Sequence, residues 1–132
     1  MNESCPCGTG RDYSKCCGPF HRGELPKTAL ELMRSRYSAY ALGVIDYIIE
    51  TTHPLHHDWG QDREAWKKQL LAFSTNTDFE RLEILGAEEG SEVGFVTFTA
   101  HLRQAGQDRT FTERSRFEKL KGRWLYLSGS IF

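Results

Sequence analysis

Neither sign of charge predominates in this chain of 132 residues: 17 Lys and Arg stand against 18 Asp and Glu, a net charge of −1. A general nucleic-acid binder needs a net or strongly clustered positive field, so the balance argues against that class. Long apolar runs are missing too. None approaches the roughly 20 residues that span a bilayer, and no membrane segment is expected. The first residues, Met1-Asn-Glu-Ser-Cys5, offer neither the basic nor the apolar stretch of a secretory leader. Cysteine is absent after position 17. Reduced thiols, with no leader and no membrane segment, point to the cytoplasm. No nucleophile–base pair, phosphate-binding loop or open metal site is visible, and no internal repeat or low-complexity tract breaks the chain. The length accommodates one ordinary domain and a small metal module.

What is there begins at once. All four cysteines lie in Cys5-Pro-Cys7-Gly-Thr-Gly-Arg-Asp-Tyr-Ser-Lys-Cys16-Cys17. Two close pairs of thiols are separated by a loop long enough to fold back and bring them around one ion. Gly8 and Gly10 follow the first pair, where a chain wrapping a metal needs positive φ and backbone N–H groups turned toward sulfur. A disulfide between the adjacent Cys16 and Cys17 would be strained, and unrelated buried thiols would be scattered. The reading is a zinc knuckle with Cys5, Cys7, Cys16 and Cys17 as ligands. Four thiolates close a tetrahedral shell, so Zn2+ would be structural and not a Lewis-acid catalyst. His21 is a spare ligand that four thiols make unnecessary.

These residues, with Tyr13, resemble the SEC-C motif, the zinc-binding tail segment of the translocase motor SecA that also occurs in many other bacterial proteins. The resemblance implies one zinc ion and a role in docking a partner protein or the ribosome. SEC-C segments are usually strongly basic between the cysteine pairs. Here only Arg11 and Lys15 are cationic and Asp12 sits between them, which turns the expectation from nucleic acid toward a protein contact.

Residues 18–26 carry two Pro and two Gly and read as a linker. Thr28-Ala-Leu-Glu31 has the form of a capping box, and helical period continues to Gly43, with Ala29, Leu32, Met33, Tyr37, Tyr40 and Ala41 on the buried stripe and Lys27, Glu31, Ser35 and Ser38 mostly away from it. A second short helix is expected from Asp46 to about Thr51, stopped by Pro54. A third is opened by Asp62 and runs to about Phe73, with Trp66, Leu70 and Phe73 inward. The period then becomes two. Leu82–Leu85, Val93–Arg103, Thr110–Glu118 and Trp124–Ile131 read as four strands joined by turns at Glu89-Gly90, Ala105–Asp108 and Lys121-Gly122. Three helices followed by an antiparallel meander make an α+β domain with its helices on one face.

That order is similar to the nuclear-transport-factor-2-like cone, a bent sheet wrapped around N-terminal helices. A closer resemblance is to the YchJ-like family, bacterial proteins of undetermined biochemical role that join a SEC-C knuckle to such a cone. It is carried by the knuckle, Leu32-Met-Arg34-Ser35-Arg36-Tyr37-Ser-Ala-Tyr40, Thr51-Thr-His53-Pro54, Glu113-Arg-Ser115-Arg-Phe117 and Gly122-Arg-Trp124-Leu-Tyr126. It implies a knuckle at residues 1–20, a linker at 21–27 and the cone at 28–132.

The open end of such a cone is a pocket, and enzymes of the fold place acids and bases there. Phe111, Glu113, Ser115 and Phe117 share one face of their strand, and a carboxylate among phenylalanines stands out, since desolvation raises a carboxyl pKa unless a cation pairs with it. Arg34 and Arg36 are plausible partners. Either Glu113 makes a structural ion pair with one of them, or its face is solvated, or it does chemistry. Candidate pocket residues are Arg34, Tyr37, His53, Glu113, Ser115 and Trp124. His53, His56, His57, Asp58 and His101 combine as an acid–base set, a second metal site, or surface and capping residues. Two function classes stay open. The first is a binding or adaptor protein whose knuckle docks a protein, with translation or secretion machinery as candidates, and whose cone holds a small ligand without chemistry. The second is a small lyase, isomerase or hydrolase with Glu113 or His53 as base. A monomer and a homodimer are equally compatible with the sequence.

Overall fold

The computed structural model describes residues 3–132; Met1 and Asn2, the first residues of the expected knuckle, lie outside the described residues. After a 3-10 turn at Tyr13–Lys15, helix α1 covers Gly18–His21, α2 Ala29–Leu42, α3 Ile45–Glu50 and α4 Arg63–Thr75. The strands are β1 Asp78–Glu89, β2 Val93–Gln104, β3 Gln107–Asp108, β4 Phe111–Leu120 and β5 Arg123–Ile131. They form one antiparallel sheet in the order β1-β2-β4-β5, with the two-residue β3 paired to the end of β2.

Helix α2 is the axis of the molecule, and its start is heavily capped. Thr28 Oγ1 accepts from the Glu31 amide at 3.0 Å, and Glu31 in turn accepts from the Lys27 amide at 2.7 Å. The Glu89 carboxylate, arriving from the end of β1, takes the Ala29 and Leu30 amides at 3.1 and 3.0 Å. Three N–H groups that the helix start leaves without partners, those of Ala29, Leu30 and Glu31, are thereby satisfied, and the Lys27 amide just before the cap is held as well. The helix ends at Gly43, as expected.

The sheet closes over α2 with alternate residues. On β2, Gly94, Val96, Phe98, Ala100 and Leu102 are buried while the residues between them are not. Register shifts at Phe79/Arg81 and Ile84/Gly86 on β1, and at Arg116/Phe117 where β4 meets β5, supply the local kinks that curl a sheet into a cone. The free edge of β5 is covered by the segment after α3: Tyr126 donates its amide to Thr51 O and accepts from His53 N, both at 2.8 Å.

Three expectations are corrected. The segment read as linker begins with helix α1, because Pro19 suits the first turn of a helix and its N–H is not missed there. Ser35 and Ser38 are fully buried and not on an outer face. Helix α2 is covered on that side too, by the cysteine segment and Tyr47, and small hydroxyls that hydrogen-bond locally are tolerated there. Strand β1 extends well past Leu85 to Glu89. Its last residues are almost all exposed, so no alternation marks them.

Candidate metal centre and cone cavity

The loop from Cys5 to Cys17 folds back on itself through a Ser4–Asp12 bridge and a Cys5 N to Arg11 O hydrogen bond of 2.9 Å. Gly8 and Gly10 take φ of 86° and 84°, the left-handed values that only glycine adopts without strain. The result is that all four Sγ atoms lie within 4.8 Å of one another, and the cysteines are 0–7% exposed. Cys7 and Cys16 Sγ are 3.5 Å apart, close to the roughly 3.8 Å between sulfurs of a tetrahedral tetrathiolate ion. Two hydroxyls support the sulfurs, Ser38 at 3.2 Å from Cys5 Sγ and Thr9 at 3.0 Å from Cys16 Sγ. The donor set and its spacing fit a metal ion with a closed shell. Left to themselves the thiols titrate unequally. Hydrogen bonding, chiefly with Cys17, draws Cys7 down to about 4, while the same contact pushes Cys17 up and burial pushes Cys16 up. A cation among them would hold every ligand as thiolate, so acid competes with the metal.

This cluster is bolted to α2 by side chains whose role no spacing shows. Arg34 Nη1 donates to the Cys7 carbonyl at 2.8 Å, so this arginine serves the metal loop and not the cone. His21 joins the two parts: its Nε2 lies 2.8 Å from Ser35 O and its Nδ1 2.6 Å from the Tyr13 hydroxyl. A carbonyl only accepts, so Nε2 carries the hydrogen, and neutral Nδ1 accepts from Tyr13. Both ring nitrogens are engaged, and His21 is not a metal ligand. Burial lowers its pKa from the ordinary 6.5. The unfolded chain therefore binds this proton first. The contribution of His21 is complete above about pH 6.5 and is lost as pH falls through the folded value. NMR titration is expected to show His21 protonating below 6.5, with amide shifts at Tyr13 and Ser35 in the same step. An ordinary or raised value would refute the neutral clip.

A second feature lies between α2, α4 and the inner face of the sheet. It is a cavity of about 260 Å3, whose lining includes Arg36, Tyr37, Tyr40, Phe98, Glu113, Ser115 and Tyr126. Of the residues expected in the pocket, Tyr37, Glu113 and Ser115 line this cavity. Arg34, His53 and Trp124 do not. His53 is buried in a turn with its Nδ1 accepting from the Leu55 amide at 3.0 Å, and Trp124 Nε1 donates to Lys27 O at 3.2 Å on another side of the molecule. Neither expected arginine pairs with Glu113. Arg36 Nη1 is taken by Thr51 Oγ1, Ile48 O and Thr52 Oγ1 at 2.8, 3.0 and 3.2 Å. Glu113 instead accepts from the hydroxyls of Ser115 and Tyr126, the latter at 3.2 Å. Burial, and then Glu113, raise the pKa of Tyr126, which keeps it a donor.

The family described as YchJ, middle NTF2-like domain, matches residues 28–129, and the SEC-C motif matches residues 1–19. The chain belongs to the YchJ-like family. A UPF0225 protein of Vibrio parahaemolyticus is 41% identical over 134 residues, covering 99% of this chain and 77% of that one. The solution structure of a SEC-C motif containing protein from Rhodopseudomonas palustris is similar at 38% identity and a TM-score of 0.84, covering 100% of this chain and 99% of that one. The crystal structure of a SEC-C motif containing protein from Psychrobacter arcticus is similar at 28% identity and a TM-score of 0.81, covering 98% and 83%. The YchJ-like architecture, helices on a bent antiparallel sheet with an N-terminal cysteine cluster, is therefore the one expected from the sequence. No described helix is long and apolar enough to cross a membrane.

The histidines of this YchJ-like chain do not form one site. His101 is on the outer face of β2, 3.1 Å from Glu83 Oε1. His56 stacks on His57 at 4.2 Å and abuts Tyr126, while its Nδ1 accepts from the Asp58 amide at 3.0 Å. His56, His57 and Asp58 offer donor atoms within 4.8 Å of one another, but His57 is largely exposed and none of the three lines the cavity. Sequence reading gives Ser38 and Gly129 no part in either site, and His21 only that of a spare ligand. Only His21 carried a signal, a lone imidazole next to a cysteine cluster.

Proposed function

We propose that this is a zinc-dependent binding protein, in which one structural Zn2+ held by Cys5, Cys7, Cys16 and Cys17 shapes a surface that docks a partner protein. The observation that carries the reading is the contrast within one loop: the four thiols are buried and mutually within 4.8 Å, whereas Gly8, Gly10, Arg11, Ser14 and Lys15 between them are exposed. A closed tetrathiolate shell has no open position for substrate, so the ion organises and does not catalyse. Three contacts, from Arg34, His21 and Ser38, hold the loop in fixed orientation on α2. A rigid, modestly basic prominence suits an acidic patch on a protein better than a nucleic-acid backbone. The occurrence of the SEC-C motif in SecA makes secretion or translation machinery the class of partner to test first.

A photo-reactive amino acid at Lys15, compared with one at Gln107 on the far hairpin, tests this in cells. The expected result is a crosslink to one defined protein from position 15 only, abolished by Arg11→Glu with Lys15 kept as the crosslinking site. Equal crosslinking from both positions, or a crosslink that survives both charge reversal and chelation, would overturn it.

A further inference from the structure

The cavity of about 260 Å3 is larger than the roughly 150 Å3 hollow that accepts benzene in an apolar core. Aromatic rings make much of its wall: Phe98 meets Phe111 edge-on at 6.0 Å, and Phe79 meets Tyr37 and Phe73 at 5.7 and 5.8 Å. Size and apolarity alone would call only for something hydrophobic. One polar group in the same wall is open to a ligand. On Glu113, both hydroxyl donors go to Oε2, and no described residue donates to Oε1.

The place of this carboxylate is reserved by the backbone. A Cβ on Gly129, which pairs with Ser115 across the strands, would collide with the Glu113 carboxyl group and come within 2.8 Å of the Tyr126 hydroxyl. Charge in the wall is already balanced locally. The Arg36 guanidinium, 6% exposed and without an acidic partner among the described residues, lies 4.7 Å from the centroid of the Tyr126 ring whose hydroxyl reaches Glu113. An extra full charge on a ligand would upset that balance, whereas a neutral donor would complete Glu113.

We propose that the cone cavity binds a small neutral ring-bearing molecule with a hydroxyl donor, a phenol or an alcohol, its ring among Phe79, Phe98 and Phe111 and its hydroxyl on Glu113 Oε1. The site is independent of the metal loop, and its test leaves that loop untouched. Amide NMR titration of the intact zinc-loaded chain with para-ethylphenol should give saturable shifts at Glu113, Ser115 and Gly129. Ethylbenzene, phenethylamine and benzoate should each bind roughly tenfold more weakly or worse, because each lacks the neutral donor. Glu113→Gln, which keeps the shape, should weaken para-ethylphenol by several-fold while leaving the spectrum of the free protein folded. Absence of saturable shifts with para-ethylphenol would overturn the proposal. So would ethylbenzene binding as tightly as the phenol, a charged probe binding more tightly, or unchanged phenol affinity in Glu113→Gln.

Discussion

Replacing Arg36 by leucine is expected to destabilise the protein by about 2–4 kcal/mol. Arg36 is 6% exposed, and its Nη1 donates to Ile48 O, Thr51 Oγ1 and Thr52 Oγ1. Those acceptors lie at the end of α3, where the chain turns to pair with β5 through the Thr52–Tyr126 bridge. Arg36 thus ties the central helix to the strand that completes the cone. Leucine fills much of the same space, yet it takes the guanidinium donor away from Ile48 O and the Thr51 and Thr52 hydroxyls and removes the cation stacked 4.7 Å from the Tyr126 ring. The measurement is urea unfolding: a lower midpoint with an unchanged slope is the expected result. Lysine should not restore the midpoint, since it lacks the planar fork. A midpoint within error of the parent would show that Arg36 carries no such weight.

Chelation of the metal, or Cys16→Ser, is expected to unfold the segment before α2 while the cone at 28–132 stays folded. The cone has its own core in Leu32, Val96, Phe98, Leu102 and Phe117, all buried. The cysteine segment contributes no strand to the sheet, but it covers Ser35 and Ser38 on α2. Hydrogen exchange after chelation should therefore show protection lost up to His21 and weakened in α2, with β2 and β4 unchanged. Loss of protection in β2 and β4 as well would mean that the loop and the cone are a single cooperative unit.

Much of this was legible in the sequence, for reasons that differ by element. The cysteine pairs with Gly8 and Gly10 announce a metal loop because few other demands put four thiols and two flexible residues so close together. Thr28, Gly43 and Asp62 mark helix ends because capping is local chemistry. Alternation reveals β2 through Gly94 to Leu102, since one face of that strand is buried along its whole length. The end of β1 is invisible because an exposed edge strand has no buried face to encode. Ser35 and Ser38 mislead for the opposite reason: polarity predicts exposure, but both satisfy their hydroxyls inside the protein. Glu113 stands out in the sequence as a carboxylate between Phe111 and Phe117, but nothing there tells arginines from hydroxyls as its partners. Serine and tyrosine hydroxyls serve it instead, in a space left by Gly129. A glycine's missing side chain is a tertiary signal, and one sequence cannot say which neighbour needs the room.

The central claim is that four thiolates hold one structural zinc ion. X-ray absorption on protein purified without added metal, combined with metal analysis, tests it most directly. One equivalent of zinc with a shell of four sulfurs at about 2.3 Å is the predicted result. Protein without zinc, or a shell in which nitrogen or oxygen replaces any of Cys5, Cys7, Cys16 and Cys17, would contradict it.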